Sequence, residues 1–120
     1  MTTTDMREPT FLVLTALAGG DQHGYALMEL TERLSEGRVR LKPGTLYAAL
    51  DRLQGEGLVT TTREEVVDGR TRRYMGLTDL GAAQLAAAAE RLEANARQAR
   101  ARLAGRARAG VRASGPAVAS

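Results

Sequence analysis

Leu41-Lys42-Pro43-Gly44-Thr45-Leu46-Tyr47-Ala48-Ala49-Leu50, continued by Arg52-Leu53 and Glu56-Gly57-Leu58, is the stretch on which the reading of this chain turns. It has the marks of a short helix. Pro43 suits the first turn, where a missing N–H costs nothing. Leu46, Leu50 and Leu53 recur at helical spacing, and Gly57 fits the left-handed position after the last turn. By the helical step, the face opposite the leucines holds Gly44, Ala48, Asp51 and Gly55. Such a face lets a large object, a DNA groove among others, lie close to the backbone. An ordinary surface helix poor in long side chains has the same pattern.

Upstream, Phe11-Leu12-Val13-Leu14-Thr15-Ala16-Leu17-Ala18 follows Glu8-Pro9 and ends at Gly19-Gly20. Seven of its eight positions are apolar, so this first helix should be buried on two sides. One side would meet its own domain and the other, with Phe11 and Leu14, a second copy. A second helix starts near His23-Gly24-Tyr25, with Leu27, Leu30, Thr31 and Leu34 on one face, and stops at Gly37. His23 is read as helping to start that helix. Arg38-Val39-Arg40-Leu41 alternates like a short strand leading into the third helix.

Downstream of Gly57 the period changes to two. Leu58 to Val67 is strand-like, Asp68-Gly69 is a two-residue hairpin turn, and Arg70 to Leu77 returns. That turn pairs Val67 with Arg70, Glu65 with Arg72, Glu64 with Arg73 and Arg63 with Tyr74. Arg72 and Arg73 are then balanced by glutamates, while Arg63 and Arg70 are left to meet a phosphate. Thr78 reads as an N-cap and Asp79 as its favourable first-turn acid. The last helix should run to about Leu103. Leu85, Ala89, Leu92, Ala96, Ala99 and Leu103 follow a heptad seam, available to a second copy or to the chain's own domain. Half of the seam is alanine, which allows close approach but buries little area. Beyond Gly105 the Gly-, Ala-, Ser- and Arg-rich sequence reads as a disordered basic tail.

The 120 residues suffice for one small domain and an extension. There is no cysteine, hence neither a disulfide framework nor a thiolate metal site. No apolar run reaches membrane-spanning length, and Met1–Glu8 lacks a signal-peptide core, so a cytoplasmic location is expected. The net charge of +3 is unevenly divided. Residues 91–120 carry seven arginines and one acid, and residues 1–90 ten basic and thirteen acidic groups, a net −3. Binding of a polyanion by the domain must therefore rest on local placement of arginines.

Helix, helix, short strand, helix and two-stranded wing is the order of a winged helix-turn-helix. The fold class expected is mostly α with a small β component (α+β). Residues 1–8 would be a flexible N-terminus, 9–77 the winged domain, 78–104 a C-terminal dimerisation helix and 105–120 the tail. His23-Gly24-Tyr25, Pro43-Gly44-Thr45-Leu46-Tyr47, Leu50, Arg52-Leu53, Glu56-Gly57-Leu58, Arg72-Arg73-Tyr74 and Leu77-Thr78-x-x-Gly81 together resemble the PadR family of bacterial transcriptional regulators. The single helix after the wing is similar to its compact subfamily.

The resemblance implies a dimeric repressor of a pseudo-palindromic operator in double-stranded DNA. Its homodimer would be held by the first and last helices through Phe11, Leu14, Leu85, Leu92, Ala96 and Leu103. The third helix would enter the major groove with Gly44 and Thr45 foremost and Arg52 beside them. Lys42, Tyr25 and Tyr47 would meet phosphates, and Arg63, Arg70, Arg72 and Arg73 would follow the backbone or minor groove. For both tyrosines the alternative is plain packing with the hydroxyl at the surface. Some members respond to phenolic acids or flat aromatic drugs, so a small-molecule effector is in keeping with the resemblance.

Departures from the family pattern are Ala48 where proline is usual, Met75-Gly76 after Tyr74, and the lack of any tryptophan for stacking a planar ligand. No catalytic constellation is present: His23 is the sole histidine, and an enzyme, a cofactor and a metal are not expected. The rival reading is a winged-helix module that docks on another protein without specific DNA binding.

Overall fold

The computed structural model describes residues 6–113, with side chains to residue 110. The elements are α1 (Glu8–Ala18), β1 (Gln22–His23), α2 (Gly24–Leu34), α3 (Pro43–Gly55), β2 (Val59–Val67), β3 (Arg70–Leu77) and α4 (Asp79–Ala113). Residues up to Ala88 form one compact unit, and the remainder of α4 forms a second.

The core of the first unit is built from Val13, Leu14 and Leu17 of α1, Leu27 of α2, Leu46, Leu50 and Leu53 of α3, and Leu58, Val59 and Met75 of the wing. Burying each large side chain contributes roughly 1.5–3 kcal/mol. As the leucine spacing predicts, α3 turns its stripe inward. Its end is set by Gly57 (φ 79°) with two closing bonds, Gly57 N–H to the Gln54 carbonyl (3.0 Å) and Leu58 N–H to the Leu53 carbonyl (2.9 Å).

The hairpin has the expected register: Val67 opposite Arg70, Glu65 opposite Arg72, Glu64 opposite Arg73 and Arg63 opposite Tyr74. Asp68 and Gly69 both have positive φ (52° and 75°), as the two central residues of a type I′ turn require. A bulge between Thr61 and Arg63 shifts the remainder of the ladder.

Four expectations are corrected. Arg38–Leu41 forms no strand. Its backbone is held by the buried Ser35 hydroxyl, which accepts from Val39 N–H at 2.9 Å, and Arg38 and Arg40 pair with Glu8 and Glu32. The third strand is instead Gln22–His23, antiparallel to β3, giving the sheet order β1-β3-β2. Second, α1 is covered within its own domain. It packs on both α2 and β3, leaving Leu14 fully buried and Phe11 half-buried, so Leu14 has no surface to offer a second copy. Leu85 likewise packs against this core, and that part of the seam folds back on its own domain.

Third, the segment expected to be flexible at residues 1–8 is ordered from Met6, which packs on the core, and α1 already begins at Glu8. Residues 1–5 lie outside the described residues. Fourth, α4 passes the expected end at 103–104 and continues to Ala113, so residues 105–113 are helical and not a disordered tail. Alanine and arginine are strong helix formers, and two interior glycines at about 1 kcal/mol each do not outweigh them. The expected tail beyond Ala113 lies outside the described residues.

The junction into α4 is tight. The Thr78 hydroxyl accepts from Gly81 N–H at 2.9 Å, the N-cap expected of it, and donates to the Gly57 carbonyl at 2.6 Å. A β-carbon on Gly81 would overlap the Leu58 carbonyl and sit 2.8 Å from Leu77 Cδ1.

Candidate nucleic-acid interface

The exposed face of α3 carries Gly44, Thr45, Ala48, Asp51 and Gly55, as the helical step predicts. Lys42 occupies the N-cap position, and no side chain there bonds the first-turn N–H groups. Those donors, at Gly44 and Thr45, open onto a surface free of bulky side chains, an arrangement suited to an anion.

Beside this face lies a cleft of about 510 Å³ lined by His23, Gly24, Tyr25, Tyr47 and residues of the wing from Val67 to Arg73. Tyr25, Tyr47, Arg70, Arg72 and Arg73, five of the residues singled out in the sequence, therefore meet in one place. Tyr25 is 67% exposed and Tyr47 43%. Tyr47 packs with its hydroxyl end against the start of α2, so close that a β-carbon on Gly24 would overlap the hydroxyl oxygen and Cζ. Only glycine allows that approach. Arg73 reaches from the wing to Asp51 of α3 at 3.5 Å, tying the wing to the small-residue face of that helix. Arg70, at the hairpin tip, is exposed and has no carboxylate partner among the described residues.

Two predicted contacts lie elsewhere. Arg52 turns away from the small face, bonding the Thr10 hydroxyl of α1 at 3.2 Å and pairing with Glu56 at 3.7 Å. Its position one flank round from Gly44 allowed either side, and α1 supplied the partner. Arg63 is occupied on the wing. Its Nη1 lies 2.7 Å from Glu65 Oε2, and its guanidinium stacks 3.8 Å above the Tyr74 ring. Residues two apart on a strand share a face, so Glu65 takes Arg63 in place of the cross-strand Arg72. Glu65 also accepts from the Tyr74 hydroxyl at 3.0 Å. The Arg63 bond, then the Tyr74 bond, hold its carboxyl below the ordinary value.

His23 starts α2, as its place before Gly24 predicts, and also packs on the wing. Its Nδ1 accepts from Ala26 N–H at 3.4 Å, and its ring meets Tyr74 edge-on at 5.3 Å. Burial, and then the positive charge of Arg72, lower its pKa from 6.5 against the opposing pull of Glu65 and Glu29. Folding thus favours neutral His23, and the sign follows. Its contribution to stability is full above about pH 6.5 and declines as pH falls from there through the lower folded value. His23→Asn, which keeps a capping acceptor but cannot titrate there, should flatten the dependence of thermal stability on pH between about 7 and 5. An unchanged slope would remove His23 as its source. The contact of His23 with Tyr74 and the pairing of Asp51 with Arg73 carried no sequence signal, because both depend on how separate elements meet.

The model of the "Transcriptional regulator PadR-like family" matches residues 13–87, more than half of the chain. The chain belongs to that family. Among relatives of this PadR-like protein, the transcriptional regulator Rv3488 of Mycobacterium tuberculosis is 40% identical over 86 residues, covering 72% of this chain and 77% of that one. The transcriptional regulator YqjI of Escherichia coli is 34% identical over 86 residues, but the chain spans only 40% of its length.

Two solved structures show the same fold. A PadR family transcription regulator from Clostridium difficile has a TM-score of 0.65 at 24% identity, covering 81% of this chain and 99% of that one. Bacillus subtilis PadR, solved in complex with operator DNA, has a TM-score of 0.56 at 24% identity, covering 62% and 43%. The family and its named members are transcriptional regulators, not enzymes. Among the described residues no helix is long and apolar enough to cross a membrane, and no cluster of metal-ligating side chains is found.

Proposed function

We propose that this PadR-like protein is a cytoplasmic, homodimeric repressor that binds a pseudo-palindromic operator through α3 and the wing. One observation carries this reading: the cleft in which Tyr25 and Tyr47 meet Arg70, Arg72 and Arg73, next to the open N-terminal face of α3. That grouping supplies hydroxyl and guanidinium donors for phosphates beside a backbone surface that a groove can approach. Because the small face offers few donors to base edges, much of the affinity should come from phosphates and fall steeply with salt. A second copy is suited to the stripe of Leu92, Ala96, Ala99 and Leu103, in which both leucines are exposed. For a small-molecule effector we assign a hollow of about 460 Å³ lined by Met6, Arg7, Thr10, Arg52, Leu53 and Gln84, among others, away from the DNA cleft.

Footprinting on the DNA upstream of the protein's own coding sequence tests the reading and yields a duplex for titration. On that duplex, Arg70→Ala should weaken binding roughly tenfold and lower the salt slope by about 1 per protomer, with the melting temperature unchanged. Arg63→Ala should instead lower the melting temperature, since it removes the partner of Glu65 and the stack on Tyr74. No footprint, together with no binding to random duplex at low salt, would favour the protein-docking module instead.

A further inference from the structure

The basic half of α4 runs from the helix expected at 78–104 into residues 105–113 of the expected tail, and its charge is absorbed by none of the contacts described above. Residues 94–113 contain six arginines and no acid. Arg97, Arg100, Arg102, Arg106 and Arg108 are all exposed, and among the described residues none has an acidic partner. By the helical step of 100°, Arg97, Arg100 and Arg108 lie to one side of the Leu92–Ala96–Ala99–Leu103 stripe and Arg102 to the other, while Arg106 continues the stripe three residues past Leu103. Pairing of the stripe with a second copy therefore leaves Arg97, Arg100, Arg102 and Arg108 in solvent.

We infer that this basic helix is a second DNA-binding element, which holds duplex DNA through phosphates without regard to sequence. It rests on the reading of the protein as a DNA-binding regulator and adds to it where the sequence-independent part of the affinity resides.

Three features point to a polyanion of this kind. The segment is about 30 Å long at 1.5 Å per residue, a length over which duplex DNA presents roughly 18 phosphate charges. Arg102 with Arg106, and Arg97 with Arg100, are like charges at helical neighbour spacing, an unfavourable arrangement that a phosphate backbone relieves. Residues 1–90 carry a net −3, so long-range attraction of DNA has to originate here. The stripe itself, with alanine between two leucines, is too thin to bury a helix in a lipid surface.

The test uses the full chain with Arg97, Arg100, Arg102, Arg106 and Arg108 all changed to Gln, a residue of similar helix propensity. Two partial variants change only Arg97, Arg100 and Arg108, or only Arg102 and Arg106, and a fourth changes all five to Lys. Sedimentation and circular dichroism confirm that each variant assembles like the unaltered chain. Binding is titrated on a random 30-bp duplex and on the footprinted duplex across a range of salt. The glutamine variant should bind both duplexes at least about tenfold more weakly, with the salt slope reduced by about 0.9 for each arginine in contact. The ratio of the two affinities should not change. Each partial variant should show part of the loss, and lysine should restore most of the binding.

Unaltered affinity and slope on the random duplex would overturn the inference, as would a loss confined to the footprinted duplex. If the unaltered chain binds both duplexes equally, the repressor reading fails, and the variants on the random duplex still decide the role of the helix. If it binds neither, both fall.

Discussion

Truncation after Glu90 is expected to leave a folded, monomeric domain that binds operator DNA at least about 100-fold more weakly than the full chain. Folding survives because the first compact unit ends at Ala88, so Leu85 and the buried Ala88 remain in place against it. What is lost is the stripe of Leu92, Ala96, Ala99 and Leu103, in which Leu92 is 53% and Leu103 61% exposed. Without it the two half-sites are bound independently, and the second no longer benefits from a high effective concentration. The effect differs in kind from loss of the basic helix. Uncoupling two half-sites lowers the preference for operator over random duplex, whereas neutralising the arginines should leave that preference intact. A chain ending at Leu103 keeps the stripe and should still dimerise. A chain ending at Glu90 that sediments as a dimer with undiminished operator preference would show that α4 is not the dimerisation element.

Gly81→Ala should destabilise the domain by about 3 kcal/mol, near the upper end for an overpacked site. The obstacle is backbone: the new methyl would overlap the Leu58 carbonyl and press on Leu77 Cδ1, 2.8 Å from the β-carbon. A flexible side chain could move aside, but Leu58 is also anchored through its N–H to Leu53 and its carbonyl to Thr78 N–H. For a domain of this size the melting temperature should fall by roughly 10–20 °C. Gly44→Ala is the control. Nothing lies within 4 Å of its β-carbon, so helix propensity alone should make it neutral or slightly stabilising. Equal melting temperatures for the two variants would mean that α4 does not approach Leu58 as closely as described.

Gly81 and Gly24 show how the family pattern becomes physical. Gly24 and Gly81 entered the sequence comparison only as letters in a motif. In the structure one makes room for the hydroxyl end of Tyr47 and the other for the Leu58 carbonyl. A motif says that a small residue belongs at a position, and the contact that demands it belongs to another element.

Features governed by near neighbours were legible from the residues alone. Pro43 and Gly57 bounded α3, Thr78 capped α4, and the leucine spacing chose the buried face of α3. Asp68-Gly69 set the wing register from Val67–Arg70 as far as Arg63–Tyr74, up to the bulge, because a two-residue turn with positive φ at both positions leaves no slack. The division of charge between residues 1–90 and 91–120 was likewise complete in the sequence.

What only the tertiary structure decided is which side chains meet. Phe11 to Ala18 looked too apolar for one small domain, yet α2 and β3 together cover it and Leu14 disappears into the core. Arg52 was directed to Thr10, Arg73 to Asp51, and Glu65 to Arg63 in preference to Arg72. The reason is one of range. Caps, turns and periodicity act over about four residues and are written in the local sequence. A guanidinium on a long stem can reach several carboxylates, and the packing angles between elements, which no local pattern encodes, select among them.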